Sequence, residues 1–544
     1  MGIRTARESG ERGAVAAGED VTERAQRRWS PSVLGVGALT ALVAAGYTVF
    51  VVAQYYTFRE SADDLLIFDE AVRSYSHFRP GVSLFFNLHE NTPLHMSLLG
   101  NHFSPILAVL APLYWIFNTP ETLLVAEAVL FALAIPPLWI FTRRAFGGGG
   151  TATAAAYLVC VAYAVSWPIA SALAFQFHEV AFAPLLMAVA LERLQAGRLR
   201  HALIALVLLL LVKEDMGLFD AGVGAYLLVS RRVVPRQRLV AGALIVGGVA
   251  FTWIATSVII PGFGGHDNWY WSYDALGQNV PQAAWHVITH PVAAVQLFFT
   301  PRVKLDTMLW LFGAFCFLPL LSPISLAALP LLLERMLSSS ANWWGTPFQY
   351  NAFLIIILAC AAVDGAARLQ RLAAWAERRR AGGHAGAEGV PQGQSAWSGA
   401  VGLLCAIAIC AVGVYSVPLF AFAPALRPSF YHRDARQNAA AAADAVVPSG
   451  VTVEATPFLG PQLSARDTVA LLDDEGFTPV YWGQWVVADI WSRQFTWSSV
   501  ADERQRVSLL EQHGYRVVFN REGYVVLRRA GSAASTAGSG QATG

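Results

Sequence analysis

Residues 63 to 75 read DDLLIFDEAVRSY, with four carboxylates and an arginine in thirteen positions. Carboxylates gathered this way can take or give a proton in a reaction. They can also make ordinary ion pairs: Asp69 and Arg73 stand four apart with the acid first, the favourable order for a helical salt bridge. Further polar groups interrupt otherwise apolar sequence. They are His89, Glu90 and His95; Asn101 and His102 in GNHFSP; Gln176, His178 and Glu179 in FQFHE; and Lys213, Glu214 and Asp215 in LVKED. Later come Arg302 and Lys304 in TPRVKLD, then Arg335, then Gln349, Tyr350 and Asn351 in FQYN.

Each of these has a plain alternative. His102 can cap a short helix starting at Ser104, His178 and Glu179 can be a satisfied buried pair, and Lys213 and Asp215 can neutralise each other at a bend. Trp269, Tyr270, Trp271 and Tyr273 fit an interfacial aromatic belt better than a sugar-stacking platform. Taken as a set, the groups gather at one depth on one side. Ionisable groups are costly in a membrane and line water-filled cavities or pair with one another. The set therefore argues for a cavity open to one side.

The elements that must position these groups are membrane helices. The chain of 544 residues is 55% hydrophobic and 14% charged, with a mean hydropathy of +0.46, which excludes an ordinary soluble domain. A formal net charge of +1 gives no electrostatic case for nucleic acid, and no such partner is expected. Only Lys213 and Lys304 are lysines among 38 basic residues, a skew that fits a GC-rich genome. All five cysteines lie in apolar runs without metal-ligand spacing, so no disulfide framework is expected.

Residues 1–31 form a polar, arginine-rich arm, expected to be disordered and cytoplasmic. The apolar run that follows, about 21 residues, is too long for a cleavable signal core and reads as an uncleaved anchor. Further spans are expected near 121–142, 151–172, 177–194, 239–260, 305–321, 323–338, 348–366 and 397–418. Residues 202–230 are either one long charged span or two short helices meeting at a submerged cusp around Lys213. Basic residues stay cytoplasmic near span ends, and only the second option puts every arginine cluster on the side of the N-terminus.

The expected fold is thus an α-helical, multi-pass protein of the cytoplasmic membrane, with about 11 membrane helices over 32–418 and a small exported α/β domain over 419–529. The first external loop covers 55–120. Its apolar piece 104–117 is too short to span and is placed at the outer interface. Residues 381–396 read as a cytoplasmic linker and 530–544 as a disordered tail. Strands are expected at GVTVEAT and TPVYWGQWVVADI, an amphipathic helix at SVADERQRVSLLEQHGY, and a hairpin turning at Arg521 to Gly523.

This order of features resembles the glycosyltransferase-C superfamily, polytopic enzymes that use polyprenyl-phosphate sugars on the exported side of the membrane. The points of resemblance are the acidic stretch with FDEAV after the first span, the interfacial helix after GNHFSP, the arginine pair after the next span, and the lysine in LLVKED. More closely, IFDEAV, GNHFSPILAVLAPLYWIF, FQFHEVAFAPLL, LLLLVKEDMGL, FLPLLSP and FQYNAFLIIIL resemble a bacterial and archaeal membrane family, the domain of unknown function 2079, over about residues 60–370 and, more loosely, through the C-terminal domain.

The superfamily resemblance implies an inverting transfer of a sugar from a polyprenyl-phosphate donor to a cell-envelope acceptor. It assigns the base to an acid of the first loop, Asp69 first and Asp64 second. Lys213, Arg302 and Lys304 are the candidates for the phosphate, with His102 and His178 as hydrogen-bond donors. Glu179, Glu214 and Tyr350 complete the expected substrate-binding set. Mg2+ or Mn2+ held by Asp69 with His102 or Glu179 stays open, although no spacing motif demands a metal. One departure stands out: Lys213 has no second cation beside it, and Glu214 and Asp215 repel phosphate unless they bind metal or sugar hydroxyls. A transporter or flippase and a non-catalytic envelope scaffold are the competing readings, the former because broken helices with charges suit substrate binding.

Overall fold

An α-helix rises about 1.5 Å per residue, so about 20 apolar residues are needed to cross a bilayer core of about 30 Å. The computed structural model describes residues 31–231, 233–266, 271–381, 396–473 and 483–531. The N-terminal arm, most of the expected linker, nearly all of the tail, Trp269, Tyr270 and the start of the strand expected from 478 fall outside the described residues.

The first element, α1 (Pro31–Tyr56), is an apolar rod that leads into α2 (Asp63–Ser76) and the short α3 (Leu84–His89). A 3-10 stretch, Pro105–Leu110, and a helical turn, Ala111–Tyr114, make up the piece that sequence placed at the interface. Next come α4 (Glu121–Leu133) and α5 (Ile135–Ala145), in line with each other; then α6 (Gly149–Ala164) and α7 (Trp167–Leu173), bent by 42°. The bend falls where Pro168 removes a backbone donor in the first turn of α7.

After α8 (Phe182–Gln195) come α9 (Leu199–Leu209) and α10 (Met216–Val229), which are the two short helices of the expected cusp. Their outer ends are neighbours: a Cβ on Gly197, before α9, would meet the Val233 carbonyl, after α10, at 3.6 Å. The pair therefore rises to the break at 210–215 and returns. Helix α11 (Gln237–Ile254) continues through a π turn to Gly262 and packs backbone to backbone on α10. A side chain at Gly217 would strike the Gly248 carbonyl, and one at Gly248 the Gly217 carbonyl, the close approach that small residues permit in membranes.

The longer helices that follow are α12 (Val280–Thr289), α13 (Pro291–Phe299), α14 (Arg302–Gly313), α15 (Leu329–Leu337), α16 (Ala352–Ala381) and α17 (Ala396–Ser416). Among the described residues, five helical rods are long and apolar enough to span: Pro31–Tyr56, Glu121–Ala145, Gln237–Gly262, Gln349–Arg379 and Ala400–Leu419. The bent α6–α7 pair makes a sixth. The other helices counted towards the expected eleven are shorter, α9 and α10 having 11 and 14 residues.

Short 3-10 turns link α17 to a mixed domain: α18 (Ala435–Val446), β1 (Thr452–Ala455), α19 (Gly460–Leu463), β2 (Thr468–Leu471), β3 (Trp485–Asp489), α20 (Val500–Gln512), β4 (Tyr515–Arg521) and β5 (Tyr524–Arg529). The sheet order is β2-β1-β3-β5-β4, with β1 parallel to β2 and β3, and β5 antiparallel to β3 and β4. Glu522 and Gly523 both have positive φ, the two-residue turn whose twist suits the β4–β5 hairpin.

The domain is docked on the helices at one end of the bundle. The Ala62 N–H donates to the Pro457 carbonyl at 2.7 Å, the Tyr55 hydroxyl to the Pro461 carbonyl at 3.2 Å, and the Gln462 amide to the Tyr55 carbonyl at 2.7 Å. That end is called the upper end below.

Candidate functional site

Helix α2 begins at Asp63, so Asp63 and Asp64 occupy its first turn, where exposed N–H groups favour negative charge. The Leu65 N–H is held by the Gln176 side-chain oxygen at 2.8 Å, which ties the start of α2 to the segment between α7 and α8. This contact sets Asp64 against His178, with Oδ2 3.5 Å from Nε2. The other ring nitrogen of His178, Nδ1, lies 2.6 Å from Glu179 Oε2, and Glu179 Oε1 lies 3.1 Å from Lys213 Nζ. Neither Glu179 oxygen accepts an aligned hydrogen bond, so charge rather than directional bonding holds these contacts.

Lys213 sits in the break between α9 and α10, beside Glu214 and Asp215. Glu214 turns to the first loop: Oε1 is 2.9 Å from His102 Nδ1, and Oε2 accepts the Phe103 N–H at 3.0 Å. The His102 and His178 rings are 6.3 Å apart. Tyr350 is within electrostatic reach of Lys213, its ring 6.4 Å from that of Phe348. The upper end thus gathers Asp64, His102, His178, Glu179, Lys213 and Glu214, with Tyr350 beside them, from segments far apart in sequence.

Asp64, His178, Glu179 and Lys213 alternate in charge. Burial alone would push the His178 imidazole down; Glu179 and Asp64 more than offset this and raise it to about 9, so it is a cation at neutral pH. Burial would push the Glu179 carboxyl up, but His178 and Lys213 hold it well below the usual range. Exposure separates the members: the Asp64 side chain is 28% exposed, against 5% for His178, 0% for Glu179 and 11% for Lys213. Asp64 is the member of this chain that a substrate can best reach.

Asp69, the first choice for the base, is elsewhere. Five residues at 100° each put it about 140° around α2 from Asp64. It is fully buried and takes the Arg73 guanidinium at 2.8 Å, the Tyr114 hydroxyl at 2.7 Å and the Ser464 hydroxyl at 3.4 Å. Burial pushes its carboxyl up despite Arg73. Arg73 also donates to the Ser464 carbonyl and to Asn118, at 3.0 and 2.8 Å. The pair read from its spacing as a simple helical salt bridge is a clasp between α2 and the sheet domain.

Two expected phosphate ligands are also elsewhere. Arg302 is largely exposed and lies 3.6 Å from Asp306 on the next turn. The Lys304 ammonium is buried, donating to the carbonyls of Leu297, Met336 and Ser338 at 3.0, 2.7 and 3.2 Å over the Trp344 ring. It staples α13, α14 and α15 together and has no direction left for a phosphate.

The metal set considered from sequence is not assembled. Asp69 faces the sheet domain while Glu179 is taken by His178 and Lys213, and among the described residues no group of three or more His, Cys, Asp or Glu is placed to hold an ion.

Nothing local signalled Ser464, which lies 395 residues from Asp69. Nor did anything local signal Asp473, whose Oδ2 is 3.4 Å from His89 Nδ1 at the junction of α3 and the sheet domain. Glu70 serves the loop: it accepts the Phe85 N–H at 2.7 Å and the Ser83 hydroxyl at 3.0 Å, and burial lifts its carboxyl to about 7.

Over residues 54–526 the chain matches the model of DUF2079, a family described as predicted membrane proteins. Among solved structures, it is similar to ArnT from Cupriavidus metallidurans in the apo state, at 13% identity over 91% of this chain and 98% of that one, with a TM-score of 0.46. It is also similar to the Archaeoglobus fulgidus oligosaccharyltransferase in the apo form, at 12% identity over 83% and 69%, with a TM-score of 0.38. Likenesses at this level carry no argument about chemistry. No curated protein sequence matches the chain significantly.

Proposed function

We propose that this chain, which belongs to the DUF2079 family of predicted membrane proteins, is an inverting glycosyltransferase moving a sugar from a polyprenyl-phosphate donor to a cell-envelope acceptor on the exported face. One observation carries the reading. Asp64, the accessible end of a charge-alternating chain that continues through His178 and Glu179 to Lys213, stands at the upper end of a membrane bundle beneath a docked domain.

In this reading the Asp64 carboxylate takes the proton of the acceptor hydroxyl. The acceptor oxygen bonds to the anomeric carbon as the bond from that carbon to the phosphate oxygen breaks, with inversion. A positioned base contributes roughly 10²- to 10⁴-fold. His178 and Lys213 supply positive charge near the leaving phosphate, while Glu214 and Asp215 offer acceptors for sugar hydroxyls. The buried Glu179 holds both cations in place and so positions the charges without reaching the substrate.

The sidedness belongs to the same reading. In it, eleven passes are assigned to α1, α4–α5, α6–α7, α8, α9, α10, α11, α14, α15, α16 and α17, several of them too short to cross alone. They leave Arg143, Arg144, Arg193, Arg198, Arg200, Arg236, Arg238, Arg368 and Arg371 at the lower end, as expected of the cytoplasmic face. The N-terminus is then cytoplasmic and the sheet domain exported.

The test is complementation of a gene deletion with wild type or Asp64→Asn, comparing envelope glycans by mass spectrometry. Transfer should fall by about 10²- to 10⁴-fold in protein that still folds, checked by its amount in the membrane. A normal glycan profile in the Asp64→Asn strain would count against the reading. A non-catalytic envelope scaffold is the second reading, favoured by the Asp69–Arg73–Ser464 clasp that fixes the exported domain. In that case Asp64→Asn is silent and removal of the clasp is not.

A further inference from the structure

In the site described above both cations already face Glu179, so each would meet a lipid phosphate with its charge partly neutralised. A concavity elsewhere at the upper end has the opposite character. It is an open depression of about 370 Å³ between the end of α1, the turn after α7 and the 3-10 turns after α17; Gln54, Arg59, Ala174, Arg427, Ser429 and Phe430 line it.

Arg59 lies with its guanidinium 4.8 Å from the Phe430 ring centroid and donates one hydrogen bond, to the Phe430 carbonyl at 3.2 Å. A guanidinium has five donors, so most of its capacity is uncommitted. Arg427 is exposed, and its side chain has no partner among the described residues. Neither arginine has a carboxylate within ion-pair distance among those residues. Arg433, which donates to the Tyr56 carbonyl, adds positive charge at the same end of α1.

Two guanidinium forks without a carboxylate partner among the described residues, with the Ser429 hydroxyl in the same lining, are chemistry suited to the oxygens of a phosphate. The surroundings match a lipid tail. The pocket lies where α1 and α17 end, and these spans are among the least covered by protein, each with only 28% of its apolar window buried. Leu419 and Leu426, in the turns above α17, are exposed beside it. A headgroup held there leaves its chain in lipid.

The pocket is also one short segment from the reactive groups. Ala174 lines it, and four residues on stands His178; at no more than about 3.6 Å per residue, the two backbones lie within about 14 Å.

We propose that the Arg59–Arg427 pocket is the capture site for the phosphate of a polyprenyl-phosphate lipid, which docks from the outer leaflet before its sugar reaches Asp64. This rests on the transfer reading for its ligand but on different residues for its evidence.

The test uses the full-length protein in detergent, titrated separately with decaprenyl monophosphate, phosphatidylglycerol and inorganic phosphate, with affinity read by native mass spectrometry. Wild type should bind decaprenyl monophosphate in preference to the other two. Arg427→Gln should weaken it about 10-fold and the Arg59→Gln/Arg427→Gln pair about 100-fold, with Arg427→Lys falling between wild type and Arg427→Gln. Arg302→Gln, an exposed arginine outside the pocket, should bind as wild type does.

Equal binding of decaprenyl monophosphate by wild type and the double variant overturns the pocket while leaving the Asp64 reading standing. Equal affinity for phosphatidylglycerol or inorganic phosphate makes it a general anion or bulk-lipid site and overturns the proposal too. Absence of binding in wild type overturns both the pocket and the donor class of the transfer reading.

Discussion

Replacing Asp69 by asparagine separates a structural acid from a catalytic one. The carboxylate is fully buried and meets Arg73, Tyr114 and Ser464 at 2.8, 2.7 and 3.4 Å. Breaking a buried ion pair from one side costs roughly 3–5 kcal/mol. Here Arg73 is 22% exposed and keeps Asn118 and the Ser464 carbonyl as acceptors, and asparagine keeps an oxygen for Tyr114, so a smaller loss is expected. About 2–4 kcal/mol is reasonable for one charged contact and one weakened hydroxyl bond.

If that loss falls on the clasp, local opening of α19 becomes about 30- to 900-fold more frequent. The assay is hydrogen exchange at the amides of Ser464, Arg466 and Asp467, which close on Gly460 and Leu463. Protection there should drop by that factor, while the transfer proposed above, measured per folded protein, should stay near the wild-type level. Unchanged protection together with lost transfer would refute the reasoning and return Asp69 to the role of base.

Two further perturbations test the remaining assignments. His178 has its pKa raised from 6.5 to about 9, so its stabilising contribution is complete below pH 6.5 and is lost as pH rises through 9. The thermal midpoint should therefore fall across that window more steeply in wild type than in His178→Gln, and parallel curves would remove the charge-alternating chain. Lys304→Met deletes a cation donating to three buried carbonyls. It should cost about 2–4 kcal/mol, read as a lower midpoint in thermal unfolding, with donor binding by the folded fraction unchanged; an unaltered midpoint would mean that the staple carries no load.

The sequence by itself determined where the long apolar rods lie, because apolar length acts locally and a bilayer tolerates few alternatives. The long rods at Pro31–Tyr56 and Glu121–Ala145, the broken pair around Lys213 and the β4–β5 hairpin all lie where hydropathy and turn residues put them. The polar residues that would matter were also visible, since a charge in an apolar run is conspicuous.

Which of them meet was decided only by tertiary structure. Asp64 and Asp69 look alike in DDLLIFDEAV, yet a 140° rotation about one helix sends the first to His178 and the second to Ser464. Lys213 and Lys304 are equally lone lysines, yet one finds a carboxylate and the other three carbonyls. Contacts between residues on different helices, up to 395 positions apart, depend on how helices pack, and no local propensity encodes that.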